Sequence, residues 1–152
     1  MCKLAKSLHS KQVDHLMNEK ETLELLGGQP YFPRLLATFL TASSACFALE
    51  YVEGVSLFQY QRAELCLPIQ TVQYCAASAL LMLENLHRQE VVYRDLKPEN
   101  VVVGRSTGKL TLIDFGFAKQ ISGQGRTFTK CGTPGYSAPE VLQQPDANDF
   151  YS

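Results

Sequence analysis

Three apolar runs of two to four residues in the second half of the sequence constrain its fold more than any other feature. They are Val91–Val92, Val101–Val103 and Leu110–Ile113, and the turn residues Ser106-Thr107-Gly108 separate the second run from the third. Runs of this length predict short strands, with the last two joined as a hairpin. The polar residues that follow these runs are therefore predicted to lie at strand ends.

Charged and amide side chains follow two of the runs directly. The string Y-R-D-L-K-P-E-N comes after the first run, and D-F-G comes after the third. Asp95, Asn100 and Asp114 offer oxygen ligands for a hard cation. Lys97 adds an ammonium group, and this combination suits a polyphosphate bound with Mg²⁺. Either string alone is compatible with a solvated charged turn, but chance explains both strings poorly when they occur in this order and each after a strand.

Composition excludes several classes of protein. Of the 152 residues, 45% are hydrophobic and 19% are charged, so the chain can bury one core and is neither disordered nor fibrous. The formal net charge is −1, and the lysines at positions 3, 6 and 11 are too sparse for a general nucleic-acid binding surface. No apolar run approaches the roughly 20 residues of a membrane span. We therefore expect neither nucleic acid nor a membrane as a partner.

The cysteines and the N-terminus indicate a compartment. The five cysteines are odd in number, scattered and without a C-x-x-C pair, which disfavours a disulfide framework or a zinc site. The sequence begins without the apolar segment of a secretory signal. We predict a reducing intracellular location, the cytoplasm.

A helix is predicted over residues 10–26 by apolar residues at helical spacing, namely Val13, Leu16, Leu23 and Leu26. Gly27-Gly28 marks its end. Glu19 falls inside the apolar stripe of this helix. Either it lies at the edge of the stripe and reaches water, or it is buried and needs a cationic partner, because an unpaired buried charge is very costly.

Further elements follow along the chain. Strands are predicted at 35–39 and 46–52, and a second helix begins after Pro68, a favoured first helical residue. One apolar face is predicted for that helix, made of Val72, Cys75, Ala76, Ala79, Leu80, Leu83 and Leu86. Residues 116–145 are rich in Gly, Ser, Thr and Pro and predict a long irregular segment.

Together these motifs resemble those of the eukaryotic protein kinases. Asp95 is followed five residues later by Asn100, D-F-G begins at Asp114, and A-P-E occupies positions 138–140. The most similar group is the cyclic-nucleotide-dependent (AGC-type) serine/threonine kinases. That similarity lies in Y-R-D, in D-F-G-F-A-K and in the stretch from 125 to 134.

The resemblance covers residues 3–140 and implies an α+β, two-lobed protein-kinase-like fold. Residues 1–49 would form an incomplete small lobe with an antiparallel sheet and one helix. Residues 50–152 would form the hinge and an incomplete helical lobe. No G-x-G-x-x-G loop precedes Lys3, and the sequence stops shortly after A-P-E. We therefore expect a partial kinase domain, cut at both ends.

The resemblance also implies a site for ATP and Mg²⁺. Asp95 would orient the substrate hydroxyl and accept its proton, and Lys97 would lie beside the transferring phosphate. Asn100 and Asp114 would hold Mg²⁺. A lysine at position 97 is typical of the serine/threonine branch, so protein substrates with Ser or Thr acceptors are expected.

The nucleotide would contact two further groups of residues in a protein of this family. Adenine would lie against the hinge from Glu50 to Val52, with Leu49 at its back wall. Glu19 would be the charged residue of the helix in the small lobe, and Lys3, sixteen residues earlier, would pair with it and orient the α- and β-phosphates. The alternative is that Lys3 is a chance N-terminal lysine.

Regulation by phosphorylation is implied as well. Thr129 matches the activation-loop phosphosite, and Arg94, Lys119 and His15 match positions that grip the phosphate. A phosphothreonine adds a charge of about −1.5 to −2, which these cations would pair with, and an upstream activating kinase is then a possible partner. A stack of apolar residues linking the lobes would consist of Leu23, Leu35, Tyr93 and Phe115.

Two departures bear on substrates. Ser56 and Gly135 stand where the most similar kinases carry acidic residues, which puts a preference for basic substrates in doubt, although Glu99 keeps one acidic contact. Three hypotheses stay open: a serine/threonine protein kinase, an inactive kinase-like binding module, and a small-molecule phosphotransferase. The intact Asp95 and Asp114 disfavour the second, the missing glycine loop favours it, and the activation segment disfavours the third.

Overall fold

An antiparallel sheet of three strands forms the N-terminal part of the chain. The computed structural model describes residues 2–4, 10–41, 44–64, 66–121, 127 and 131–142. Strands β1 (Cys2–Leu4), β2 (Leu35–Leu40) and β3 (Ser44–Leu49) lie in the spatial order β1-β3-β2. Lys3 pairs with Ala45 in the backbone register of β1 and β3.

Helix α1 (Ser10–Leu26) connects β1 to β2 and has the predicted bounds. Its inward face buries Thr22, Leu23 and Leu26 in the core. Gly28 follows the helix with φ of 83°, a left-handed conformation that glycine adopts without steric cost at a helix C-terminus.

Strand β3 ends at Leu49, so the predicted strand over 46–52 is displaced. The last backbone bond along this edge runs from Glu50 N to the oxygen of Arg34, the residue before β2, at 2.8 Å. Residues 51–53 are not part of a strand. Residues 50–53, here called the hinge, cross instead to a second sheet, where β4 (Gly54–Ser56) begins. The sequence pattern that predicts a strand extends past Leu49. The neighbouring strand β2 does not extend that far, because it begins at Leu35, opposite Leu49.

The second sheet contains the predicted hairpin. Its strands β4, β6 (Val101–Gly104) and β7 (Leu110–Leu112) lie in the order β4-β6-β7, all antiparallel. A separate two-stranded ladder pairs β5 (Val91–Val92) with β8 (Lys119–Gln120). Strand β8 lies in the segment that was predicted to be irregular. The sequence did not predict this strand, because two residues are too few to give a periodic pattern.

Two helices connect these strands. Helix α2 (Leu57–Ala63), which periodicity did not predict, starts with a capping box: Ser56 Oγ accepts from Gln59 N at 3.1 Å, and Gln59 Oε1 accepts from Ser56 N at 3.2 Å. Helix α3 (Ile69–Arg88) starts after Pro68 as predicted.

The predicted face of α3 is confirmed in part: Leu86 is buried, and Cys75 and Leu83 pack against the core partly buried. Ser78, Met82 and Leu86 are buried, whereas Val72 and Leu80 are 45% and 69% exposed. Helix α3 contacts β5 and β7. Residue type alone does not determine which apolar side chains of a helix face its neighbouring strands.

A single cluster of buried side chains joins the helices to the short strands. Phe115 lies at its centre, with its ring centroid 6.0 Å from that of Phe32 and 5.6 Å from that of Tyr93, both in edge-on geometry. Leu23 belongs to the same cluster, and Leu35 packs against it partly buried. The four residues predicted to form an apolar stack thus share one core.

None of the helices in the described ranges has both the length and the apolar character needed to cross a bilayer. Cys66 and Cys75 are free thiols. Burial raises the pKa of the Cys75 thiol, which keeps it protonated at neutral pH.

Candidate active site

The loop between β5 and β6 takes a constrained backbone path. Arg94 has φ of 67°, a left-handed value that is uncommon for residues other than glycine. Pro98 starts a short 3₁₀ helix (Pro98–Asn100), where its fixed φ suits the first helical position. This path brings Asp95 and Asn100, which are five residues apart, into hydrogen-bond contact.

Asp95 is buried and receives hydrogen bonds from three side chains. Asn100 Nδ2 donates to Oδ2 at 2.9 Å, and Lys97 Nζ lies 2.8 Å from the same oxygen. Thr133 Oγ1 donates to Oδ1 at 2.7 Å and accepts from Lys97 Nζ at 2.8 Å. Only 4% of Asp95 is exposed, so these donors replace the water that an ionised carboxylate would otherwise need.

The network shifts the pKa values of its charged members. Burial tends to raise the pKa of Asp95, but hydrogen bonds from Lys97, Thr133 and Asn100 outweigh it and leave that pKa below its ordinary value. The hydrogen bond to Asp95 raises the pKa of Lys97. At neutral pH, therefore, the carboxylate and the ammonium are both charged.

Asp114 lies at the second loop and is held in a strained conformation. Its φ of 62° is left-handed, and Gly116 N donates to its Oδ1 at 3.1 Å. Ile113 N donates to Asn100 O at 2.8 Å, and the Tyr93 hydroxyl donates to Ile113 O. Both backbone groups of Ile113, the residue before Asp114, are thus held by Tyr93 and Asn100, which flank Asp95 in the sequence.

Tyr93 connects the two loops. It lies two residues before Asp95, and its hydroxyl donates to the backbone oxygen of Ile113, the residue before Asp114. This hydrogen bond joins the ends of β5 and β7. Burial is the main reason that the pKa of Tyr93 lies far above the ordinary value, and the negative charges of Asp114 and Asp95 raise it further.

A cavity of about 380 Å³ opens between the first sheet, the hinge and the second sheet. Six predicted site residues line it, namely Glu19, Leu49, Glu50, Val52, Asn100 and Asp114. Apolar side chains, including Val102 and Ile113, make up most of the remaining wall. Asp95 and Lys97 do not line the cavity. They belong to the adjoining loop, and Asn100, which does line the cavity, donates a hydrogen bond to Asp95.

Glu19 enters this cavity from α1. Only 8% of the residue is exposed and it is engaged in an interaction, so the interpretation of a solvated edge residue is wrong. The side chain of Lys3 lies outside the described part of the structure, and its pairing with Glu19 stays a prediction.

Glu50 contributes to the cavity mainly through its position in the hinge. Its side chain bonds to Arg34, whose Nε lies 3.2 Å from Oε2, and this hydrogen bond lowers the pKa of the Glu50 carboxyl. Because both side chains are well exposed, we expect the pair to add little to stability.

The predicted phosphate-gripping residues fall on three neighbouring elements. Arg94 Nε donates to Phe117 O at 2.7 Å, and one of its terminal nitrogens donates to Thr127 Oγ1 at 3.2 Å. Lys119 is half-buried on β8, and His15 is exposed on α1, a helix that contacts β8. Thr129 lies outside the described residues.

Sequence reasoning missed Thr133 and Gly132 as parts of the site. Gly132 has φ of 102°, and a Cβ at this position would lie 2.4 Å from Arg94 O. Only glycine therefore lets the chain pass this close to the loop that carries Asp95 and bring Thr133 into contact with that residue. The sequence G-T-P at 132–134 was the available signal. The partners of Thr133 are Lys97 and Asp95, which lie 36 and 38 residues earlier, so no local pattern connects them to it.

Residues 1–151 match the family described as "Protein kinase domain". The chain belongs to this family. Its sequence is 41% identical over 133 residues to a cAMP-dependent protein kinase catalytic subunit of Dictyostelium discoideum, covering 88% of this chain and 20% of that protein. It is 37% identical to cAMP-dependent protein kinase type 3 of Saccharomyces cerevisiae, covering 91% of this chain and 34% of that protein.

A human relative gives the same picture. The cAMP-dependent protein kinase catalytic subunit PRKX of Homo sapiens is 42% identical over 133 residues, covering 88% of this chain. The chain spans between 20% and 36% of the length of these three relatives. The fold class predicted from sequence, an α+β protein kinase fold, is confirmed by the family match.

The cavity side chains fit the magnesium and nucleotide that the kinase family uses. Asn100 commits its amide nitrogen to Asp95, so its oxygen remains available as a ligand. Within the described ranges, the second carboxylate oxygen of Asp114 makes no hydrogen bond. Two such oxygen ligands are what Mg²⁺ takes from a protein when phosphate and water complete its shell.

Thr133 offers a direct test of the network around Asp95. Thr133→Val removes one hydrogen bond to the carboxylate, so we expect the pKa of Asp95 to rise, whereas Thr133→Ser keeps the hydroxyl and leaves it lowered. Carboxyl ¹³C NMR titration measures both. An unchanged pKa in Thr133→Val would contradict the network.

We also expect Thr133→Val to change how the free energy of unfolding depends on pH. A lowered pKa in the folded state stabilises the fold above the pKa of the unfolded state, and this contribution is lost as pH falls through the folded value. The acid-induced loss of unfolding free energy should be smaller in Thr133→Val than in the parent chain, as measured by denaturant titration at several pH values.

Proposed function

We propose that the chain carries the catalytic centre of a cytoplasmic serine/threonine protein kinase that transfers the γ-phosphate of ATP to protein substrates. One observation carries the proposal: the Asp95, Lys97 and Thr133 network is joined through Asn100 to a cavity that Asp114 lines. A charged proton acceptor, an ammonium and two oxygen ligands thus meet at one place. Phosphoryl transfer needs this set because it depends on position and countercharge.

Asp95 is the group proposed to receive the substrate hydroxyl. Its lowered pKa keeps it ionised, so it can accept a hydrogen bond from a serine or threonine and orient that oxygen toward the phosphate. Lys97 stays protonated beside it and would stabilise negative charge on the transferred group. Thr133 positions both side chains.

Asn100 and Asp114 are proposed to hold Mg²⁺ with the nucleotide phosphates. When bound, the ion would neutralise charge that develops on the phosphate oxygens. The bonds to Ile113 support this role, because they hold the backbone next to Asp114 before any ligand arrives. Leu49, Val52 and Val102 would enclose the adenine ring, with hydrogen bonds from the hinge backbone.

Lys3 and Glu19 are proposed as the pair that orients the α- and β-phosphates. The backbone register supports this, because Lys3 lies opposite Ala45, and both Ala45 and Glu19 line the cavity. Regulation through Thr129 is supported by the position of Arg94, which joins the catalytic loop to Phe117 and to Thr127.

Asp95→Asn tests the proposed transfer. The amide keeps the shape of the side chain but cannot accept the hydroxyl proton, so we expect phosphate transfer from radiolabelled ATP to fall about 10²- to 10⁴-fold. ATP binding should change little. Glu84→Gln, an exposed carboxylate-to-amide change on α3, is the control and should keep full transfer. Equal transfer by Asp95→Asn and the parent chain would refute the proposal.

Thr129→Ala tests the proposed regulation. We expect lower turnover than in parent protein that mass spectrometry shows to be phosphorylated at Thr129, since Arg94, Lys119 and His15 would lose their anionic partner. Ser106→Ala, in the exposed turn between β6 and β7, is the control. Unchanged turnover in Thr129→Ala, beside a fully phosphorylated parent, would rule out the switch.

A further inference from the structure

Strand β2 lies at the edge of the first sheet. Among the strands of the described ranges it pairs with β3 alone, since the spatial order is β1-β3-β2. Residues 36–40 of the strand are all exposed, so neither of its faces is covered. An edge strand presents backbone N–H and C=O groups to which the strand of another chain can bind. We call residues 37–40 the free edge.

The register with β3 shows which backbone groups of the free edge point outward. Residues of an antiparallel ladder alternate between pairs that exchange backbone hydrogen bonds and pairs that do not. Thr41 N donates to Ser44 O at 2.8 Å, and the pairing continues without a shift along the free edge. Phe39 therefore bonds to β3, whereas Thr38 and Leu40 direct their N–H and C=O groups away from it.

The free edge lacks the features that usually prevent edge strands from joining. Strand β2 reads L-L-A-T-F-L, with neither a charged residue nor a proline. The register shift in this strand lies between Leu35 and Ala37, so the free edge beyond it stays regular. Leu40 is 83% exposed and Phe39 is 53% exposed. Outward backbone groups and accessible apolar side chains therefore occur together on this strand.

A second copy of the same strand fits the free edge in an antiparallel arrangement. A twofold axis at Phe39 would place Thr38 of one copy opposite Leu40 of the other, so that the outward groups of both strands exchange hydrogen bonds. The two Phe39 side chains would then face each other in the closer, non-hydrogen-bonded kind of pair, where aromatic contacts stabilise sheets. Because the strand carries no charge, this pairing brings no like charges together.

We propose that the chain forms a symmetric dimer through antiparallel pairing of its free edges. The contact would join the first sheets of two copies into one continuous sheet. Each copy uses the same edge, so association stops at two copies. A contact of a few residues buries less than the roughly 1,200 Å² of stable complexes, so we expect a weak dimer with a dissociation constant on the order of 100 µM.

Helix α3 provides a matched comparison, because it also exposes a leucine. Leu80 is 69% exposed, but the backbone groups within a helix bond to one another and need no partner strand. If exposed apolar side chains alone drove association, a charge at Leu80 would disrupt the dimer as much as a charge at Leu40. If the strand edge drives it, only the change at Leu40 matters.

Sedimentation equilibrium between about 10 µM and 1 mM tests the dimer. We expect the average mass to rise from that of one chain towards that of two. Leu40→Lys should keep the fold, because this side chain lies in water, but it would bring two ammonium groups to diagonal positions roughly 7–8 Å apart and keep the chain monomeric. Leu80→Lys, the control, should dimerise like the parent chain.

Amide exchange with water, measured by NMR on the parent chain, tests the geometry without any substitution. We expect the amides of Thr38 and Leu40 to exchange about three- to fivefold more slowly at 1 mM than at 10 µM, as mass action with this dissociation constant requires. The amides of Ala37 and Phe39, which bond to β3, should not depend on concentration.

Three results would each overturn the proposal. The parent chain could stay monomeric at 1 mM, the dimer could be lost in Leu80→Lys but kept in Leu40→Lys, or exchange at Thr38 and Leu40 could be the same at both concentrations. Growth beyond two copies would also contradict it, because the twofold pairing uses up the free edge of each copy.

Discussion

The buried carboxylate of Asp95 is the constraint on which the rest of the site depends. A charge with only 4% exposure destabilises the fold unless donors surround it, and its donors come from two separate segments. Lys97 and Asn100 belong to its own loop, whereas Thr133 arrives from 38 residues further along. Satisfying this one group therefore closes the loop and draws the later segment against it.

Unfavourable backbone conformations gather around that network. Arg94 and Asp114 both take left-handed φ values, and neither is a glycine. Such residues persist where surrounding bonds over-determine them. Here the contacts are the Arg94 bond to Phe117, the Asn100 bond to Ile113 N and the Tyr93 bond to Ile113 O. The bonds to Ile113 hold the backbone before Asp114, which suits the proposed role of Asp114 as a ligand for Mg²⁺.

Sequence reasoning succeeded where a local pattern set the structure. The bounds of α1 and the hairpin of β6 and β7 followed from periodicity and turn residues. It failed where partners decide the outcome. Strand β3 ends at Leu49, opposite Leu35, where its neighbour β2 begins, and α3 buries Met82 while Leu80 is 69% exposed.

The candidate site shows the same division. Asp95 and Asp114 could be picked out because each comes shortly after an apolar run, and Asn100 because it belongs to the same polar string as Asp95. Thr133 could not, because its role arises from a hydrogen bond to a residue far away in the chain, and Gly132 gained meaning only from its close approach to Arg94. The pairing of Lys3 with Glu19 rests on the family resemblance and on backbone register.

The central claim is that the ends of β5 and β7 serve one nucleotide. The most direct test is NMR of the chain with ATP and Mn²⁺, a paramagnetic substitute for Mg²⁺, observing side-chain carbonyl carbons. The account predicts the strongest broadening at Asp114 and Asn100, weaker broadening at Asp95, and loss of the effect in Asp114→Asn. Broadening centred elsewhere, or at Asp114 without Asn100, would contradict it.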